Sequence, residues 1–177
     1  MVLVGVQYRP DNLKGGPAVI RVLIVLLFGS FALAAQGAAA QEWRALPGWK
    51  IAKTGHSYAK LIERLNAAVK ANKMGLVTHA SATLGAKALG EQIPGNMVIG
   101  VYHPRFAIRM LAASIPAGIE APIRFYITEN ADRTATLSYK IPTAIFAPYK
   151  DGGKKLAAMA RELDAIFAKI AKQAAAP

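Results

Sequence analysis

The stretch IRFYITENADRTATLSYK, residues 123–140, decides the fold. It contains two runs rich in β-branched and aromatic residues, Ile123–Thr128 and Thr134–Lys140, separated by the short polar loop Glu129–Arg133. Two such runs on either side of a short polar loop are typical of a β-hairpin. The sequence therefore predicts an antiparallel sheet built around this hairpin.

Upstream of the hairpin, apolar runs alternate with helical patterns. The run Met97–Tyr102 is almost continuously apolar, which is typical of a strand buried on both sides. Pro104 then begins a helix that we expect to end near Ala113, because proline is tolerated at the first helical position. The earlier segments predict, by the same criteria, strands at Trp49–Lys53 and Leu76–Ala80, a turn at Thr54–Ser57, and helices at Tyr58–Lys73 and Thr83–Gln92.

Downstream of the hairpin, Pro142 and Pro148 bracket Thr143–Ala147, for which the sequence predicts an extended edge segment. Asp151–Gln173 carries apolar residues at helical spacing and predicts a long C-terminal helix, with Ala174–Pro177 as a frayed tail. Together these elements predict an α+β fold: a mixed, largely antiparallel sheet with helices packed on one face. The other face needs a partner or water, so we expect a homodimer.

An uncharged run, VLIVLLFGSFALAAQGAAA, precedes all of these elements and ends at Ala40. An apolar core followed by small residues is the pattern of a secretory signal peptide. The sequence therefore predicts a signal peptide over residues 1–40, cleavage near Ala40, and a translation start nearer Val19. Residues 41–173 then form a single domain in the periplasm or outside the cell. The alternative is an N-terminal anchor in the inner membrane, because the run nearly spans a bilayer.

Composition limits the partners and the chemistry. The chain has no cysteine, which excludes disulfides, thiol nucleophiles and cysteine metal sites. Its 22 Lys+Arg against 10 Asp+Glu give a formal net charge of +12, which favours an anionic small molecule or an anionic component of the cell envelope. The basic residues are dispersed and the chain is predicted to be exported, so no nucleic acid partner is expected. No motif implies a cofactor.

The candidate site residues cluster around the predicted junction between a strand and the helix that begins at Pro104. His103 lies at this junction and His79 in another predicted strand; if the two strands are neighbours, both imidazoles could hold a metal or pass a proton. Arg105 and Arg109 share a helix face and, with Arg124, could clamp a carboxylate or phosphate. The alternatives are ordinary structural histidines and a solvated helix face.

Four blocks of the chain, in their order, resemble the bacterial family known as domain of unknown function 302. They are SYAKLIERLNAAVKANKMG from Ser57, VTHASA from Val77, VYHPRFAIRML from Val101, and IPAGIEAPIRFYITENADRTATLSYKIP from Ile115. The resemblance covers residues 57–149. It implies a compact α+β domain, often dimeric, with no established biochemical activity.

The chain departs from the family pattern at two places. Members commonly carry Asp-His where this chain has Thr78-His79, so the resemblance implies His79 as a site residue that lacks its orienting carboxylate. Members commonly carry Gly-Asn-Pro where this chain has Tyr102-His103-Pro104. Tyr102 would fill space that glycine leaves open, and His103 is chemically unlike asparagine. These departures predict a variant with its own ligand.

The sequence favours a non-enzymatic ligand-binding or accessory protein with a basic and histidine-containing pocket. Its ligand-binding candidates are His79, Tyr102, His103, Arg105, Arg109 and Arg124. One alternative is an enzyme in which a histidine acts as general base on an anionic substrate. Another is an envelope-surface protein that binds anionic lipid or polymer and releases it with added salt.

Overall fold

The computed structural model describes residues 46–177; the predicted signal peptide, residues 1–40, lies outside them. The strands are β1 (Trp49–Ser57), β2 (Gly75–Ala80), β3 (Asn96–Tyr102), β4 (Ile123–Glu129) and β5 (Thr134–Lys140). The helices are α1 (Tyr58–Ala71), α2 (Ala82–Ala88), α3 (Pro104–Ala113), α4 (Pro142–Phe146) and α5 (Gly153–Ala175). Single 3₁₀ turns occupy Pro116–Glu120 and Lys150–Gly152.

The strands form one open sheet in the order β1-β5-β4-β3-β2, and every neighbouring pair is antiparallel. The hairpin predicted from residues 123–140 is its centre, with Phe125 opposite Tyr139 and Tyr126 opposite Ser138. The α+β fold, the largely antiparallel sheet and the long C-terminal helix are confirmed.

Alternation along β4 and β5 divides the sheet into two faces. Phe125 and Ile127 of β4 and Leu137 of β5 point to one face, where each is at most 1% exposed. There the Phe125 ring stacks on Phe167 of α5 at 4.8 Å between centroids and meets Tyr139 at 5.1 Å. This face carries the core, and we call it the covered face.

Helices α1, α3 and α5 cover that face with apolar stripes. Helix α1 begins where the Ser57 hydroxyl accepts a hydrogen bond from the Lys60 N–H, which satisfies one of the free donors of its first turn. Leu61, Leu65 and Val69, at helical spacing, are then fully buried. Helices α1 and α5 pack against each other across the sheet.

The C-terminus is held by side chains from the start of the domain. The Arg64 guanidinium donates to the carbonyls of Gln173, Ala174 and Ala176 at 3.1, 2.8 and 2.7 Å. His56 donates from Nε2 to the same Ala176 carbonyl at 2.7 Å. Cations are favourable at a helix C-terminus, where carbonyls lack partners. The helix therefore continues to Ala175, beyond the end at Gln173 that the sequence pattern predicted.

Two further local predictions were wrong. Thr143–Ala147 was expected to be extended, but Pro142 begins the short helix α4, since proline suits a first helical position, and the Thr143 N–H donates to Asp164 Oδ1 at 2.9 Å. The expected turn at Thr54–Ser57 is the bulged end of β1, where the Thr54 hydroxyl donates to the Ala135 carbonyl at 2.7 Å. Within residues 46–177, no helix has the length and apolar character to cross a membrane.

Candidate functional site

A groove of about 580 Å³ lies over the second face of the sheet, which we call the open face. The strand pairings place one row of residues across its floor: Ala80 is opposite Val98, Val98 opposite Tyr126, and Tyr126 opposite Ser138. These residues alternate with the buried residues of the covered face. The groove is therefore built by the same strands that build the core, and its floor combines apolar, aromatic and hydroxyl groups.

Two cations lie side by side in the next row of the open face. The β4–β5 register pairs Phe125 with Tyr139, and one residue further on it places Arg124 across from Lys140. Both side chains are exposed and line the groove. Like charges directly opposite each other on a sheet are destabilising unless an anion offsets them.

Neither cation has a carboxylate partner within residues 46–177. Lys140 Nζ lies 5.6 Å from the centroid of the Trp49 ring, a cation–π contact across the β1–β5 pair. Arg124 makes no ion pair with any residue of the part of the chain that the structure describes. Glu120 also lines the groove, but its carboxylate accepts a hydrogen bond from the Tyr149 hydroxyl at 2.7 Å, which raises the pKa of Tyr149.

The far end of the groove is closed by the entry to α2. The Asn96 side chain accepts from the Ala82 N–H at 2.9 Å and donates to the Thr83 hydroxyl at 3.0 Å. These bonds tie the start of α2 to the start of β3, so that Ser81 and Ala82 form a wall beside the floor. The wall consists of small side chains, one of them a hydroxyl, whereas the Trp49 end is aromatic and cationic.

The structure gives His103 a structural position. It precedes α3, and its Nδ1 accepts a hydrogen bond from the Arg105 N–H at 3.1 Å, so the side chain caps the helix. The imidazole also meets the edge of the Phe106 ring at 6.1 Å. The Nδ1 atom of His103 is therefore already occupied by the hydrogen bond from the helix N-terminus. Tyr102, the last residue of β3, is half-buried beside His103 at an apolar void of about 30 Å³.

The three arginines do not converge. Arg105 and Arg109 flank the Phe106 ring, with guanidinium carbons 5.3 and 5.6 Å from its centroid. Arg109 also donates to both oxygens of Glu162 on α5, at 2.7 and 2.6 Å, which lowers the pKa of Glu162 and raises the pKa of Arg109. Arg124 lies on the open face, across the sheet from α3.

The two histidines also stay apart. His79 is exposed on β2 and pairs with Ile99, whereas His103 follows β3 four residues later. Four residues of strand separate the two positions by about 13 Å. Strands β2 and β3 are neighbours as expected, but their register keeps the imidazoles from sharing a ligand. No cluster of three histidines or carboxylates that could hold a metal occurs in residues 46–177.

Only Arg124 of the six candidates lines the groove. Trp49, Tyr126 and Lys140 were missed as site residues, although their signal was present in the sequence. In β4, Arg124 and Tyr126 occupy the positions that alternate with Phe125, so the period of two already placed them on the less apolar face.

Comparisons with known proteins find one matching family model and a solved structure of similar fold. A family model described as "Domain of unknown function DUF302" matches residues 50–174. The chain is similar to a solved protein, described as the crystal structure of an uncharacterized conserved DUF302 protein from Bacillus stearothermophilus. The two share 18% identity and a TM-score of 0.64, over 72% of this chain and 99% of that one. The comparison with curated proteins gives no match.

Proposed function

Because the chain belongs to the DUF302 family, whose description names no activity, we propose its function from its own surface. We infer that it is a non-enzymatic binding protein that holds an amphipathic anion in the open-face groove. The observation that carries this proposal is the pair of adjacent cations, Arg124 and Lys140, on the rim of an apolar groove.

The groove has the size and chemistry of a small-molecule site. Its volume of about 580 Å³ falls within the roughly 300–1,000 Å³ of typical ligand pockets. Arg124 can grip a carboxylate or phosphate with two parallel N–H groups, and Lys140 adds a second charge beside it. Tyr126 and Val98 offer apolar surface to the body of the ligand. A molecule with one anionic head and a flat or branched apolar body fits these groups.

An enzyme that uses a histidine base has less support. His103 uses Nδ1 to cap α3, and His79 lies on the edge strand, outside the groove. A general base must lie within hydrogen-bond reach of the proton that it removes. Neither imidazole lines the groove that would hold the substrate, so binding without chemistry is the simpler use of this surface.

We place this binding in the periplasm or outside the cell. This proposal rests on the signal-peptide pattern that ends at Ala40, and its alternative is a retained inner-membrane anchor.

We also propose that the protein forms a homodimer, because an open sheet face is a surface that a second copy can bury. Ligand and second copy would then compete for the same face.

Titration with anilinonaphthalenesulfonate (ANS), a fluorescent apolar anion, tests the groove. The variant Arg124→Gln/Lys140→Gln removes both cations and should weaken ANS binding by at least about tenfold, since each charge-assisted contact is worth about 1.5–3 kcal/mol. Lys154→Gln/Lys155→Gln makes the same charge change on exposed positions of α5 and should stay within about twofold. Equal losses of ANS affinity in the two variants would reject the groove as the anion-binding site.

Native mass spectrometry of the exported protein supplies a second readout. A bound mass that is lost in Arg124→Gln/Lys140→Gln but kept in the α5 control would identify the ligand by weight. A dimer whose fraction rises when the two cations are removed would assign the open face to a second copy instead.

A further inference from the structure

We propose that a second surface, on the outer side of α3, docks the protein onto an anionic phospholipid bilayer. Four large apolar side chains form this surface: Ile108, Leu111, Ile115 and Ile119, which we call the α3 stripe. They are 70, 48, 79 and 81% exposed. Contiguous exposed apolar surface of this kind marks an interaction site rather than ordinary surface composition.

The stripe is apolar on a helix that already has a buried side. Phe106 and Met110 of α3 face the core and are 5% and 4% exposed. An ordinary surface helix would be polar opposite such residues. Ile108 and Leu111 take the outward positions instead, so α3 presents apolar groups to both the core and the solvent.

The stripe continues beyond α3 because the next turn folds back on the helix. The 3₁₀ turn Pro116–Glu120 packs on α3, and a Cβ at Gly118 would lie 2.9 Å from Leu111 Cδ2. Ser114 ends α3 with its N–H on the Met110 carbonyl at 2.8 Å, and its hydroxyl accepts from the Ala117 N–H at 3.3 Å. The isoleucines are therefore held outward by a preformed turn.

Cations lie at both ends of the stripe. Arg105 belongs to α3 itself, near Ile108, whereas Arg109 on the same helix is paired with Glu162. Lys150 follows Tyr149, whose hydroxyl bonds Glu120 next to Ile119, and the segment Lys150–Gly152 packs on α3. Apolar side chains between basic groups are the pattern of a surface that inserts shallowly into a bilayer with anionic headgroups.

The carboxylates near the stripe are already engaged. Glu162 is bound by Arg109, and Glu120 accepts from Tyr149, which leaves Asp151 as the exposed acid of this region. A second copy would bring the same cations face to face across a two-fold axis. With a formal net charge of +12 on the chain, an anionic lipid surface is the complementary partner.

Vesicle co-sedimentation of the protein purified after export tests the docking surface. Vesicles of phosphatidylethanolamine with phosphatidylglycerol supply anionic headgroups, and phosphatidylcholine vesicles are the neutral reference. The test variant is Ile115→Ser/Ile119→Ser. The matched control is Leu84→Ser/Leu89→Ser, which removes one leucine of α2 and the leucine that ends it, 67 and 82% exposed. All variants keep the same N-terminus, so any lipid affinity of that segment cancels in the comparison.

We expect the test variant to lower the partition coefficient onto anionic vesicles by at least about tenfold, because each isoleucine buried in lipid contributes roughly that factor. The control should stay within about twofold, and wild-type binding should fall as salt is added. Thermal melting and far-UV circular dichroism check that both variants keep the fold.

Three results would overturn the proposal. The first is wild-type protein that sediments equally with neutral and anionic vesicles, or with neither. The second is an equal loss of binding in both variants. The third is a test variant that turns a dimer into a monomer, by light scattering, while vesicle binding stays unchanged; the stripe would then be a contact between copies. Because the stripe and the groove have separate variants and probes, either proposal can fail alone.

Discussion

The two faces of the sheet come from the same strands and differ in what the alternate residues do. On the covered face, Phe125, Ile127 and Leu137 meet helices and exclude water. On the open face, Arg124, Tyr126 and their neighbours line a groove. Because successive side chains of a strand point to opposite faces, residues that stabilise the core alternate along each strand with residues that line the groove. A substitution on one face should change the free energy of unfolding, and one on the other should change binding.

The largest expected effect comes from Phe125→Ala. Phe125 is fully buried and stacked on Phe167, so its truncation should lower the free energy of unfolding by about 3–5 kcal/mol. Its neighbour Arg124→Ala should stay within about 0.5 kcal/mol, since the side chain is exposed. Urea unfolding followed by circular dichroism measures both. Similar losses of unfolding free energy at the two positions would contradict the assignment of stability to the covered face alone.

Gly100→Ala tests a place where the open face is itself covered. A Cβ there would lie 2.8 Å from Pro122 Cγ and would also meet the Thr78 hydroxyl. We expect a loss of about 1–3 kcal/mol, because the Thr78 side chain and the rigid Pro122 ring must move. Gly85→Ala, in α2 with open space around it, should have the opposite sign and gain up to about 1 kcal/mol. Equal effects in urea unfolding would contradict this account.

Two matched helix caps compare a core helix with a peripheral one. Ser57→Ala removes the cap of α1, which packs on the covered face, and should lower the free energy of unfolding by about 1 kcal/mol. Ser81→Ala removes the same kind of cap from α2, which buries no residue, so global unfolding should change less and amide exchange should quicken locally in α2. A larger global effect at Ser81 would assign α2 to the core.

The smallest effect should come from Glu162→Gln, which breaks the ion pair between two covering helices. Arg109 lowers the pKa of Glu162 in the folded state, so the pair stabilises the fold above the unfolded pKa of that carboxyl. This contribution is lost as pH falls through the lowered folded pKa. The melting temperatures of wild type and variant should therefore differ near pH 7 and converge in acid. Arg109→Gln should show the same profile, and the double variant no further loss.

The period of two and the helical spacing predicted most of the fold, because both patterns follow from how side chains leave the backbone. Strand β5 and helix α3 occur at the predicted residues. The predictions failed where a contact distant in sequence fixes the local structure. Helix α4 forms where the Thr143 N–H donates to Asp164 Oδ1. Strand β1 extends past Lys53 because the Thr54 hydroxyl donates to the Ala135 carbonyl.

The candidate site was less predictable than the fold. His79 and His103 stood out by chemistry, but the register of β2 against β3, which a bulge after Leu76 shifts, keeps them apart. The charge of Arg124 makes it a candidate in the sequence. It lies in the groove for another reason: it alternates with Phe125 along β4 and therefore points to the open face. Residue type alone does not tell which residues share a surface; the pairing of strands does.

The strand order also has a consequence for the time course of folding. Strands β2, β3 and β4 each pair with the strand that follows them in the chain, but β1 pairs with β5, so that Trp49 meets Lys140. Contacts that close so long a loop form slowly. The first strand to leave a ribosome or an export channel must therefore wait for the last one. Until then both carry unsatisfied edges, and a chaperone that shields the segment Trp49–Ser57 should raise the yield of folded protein.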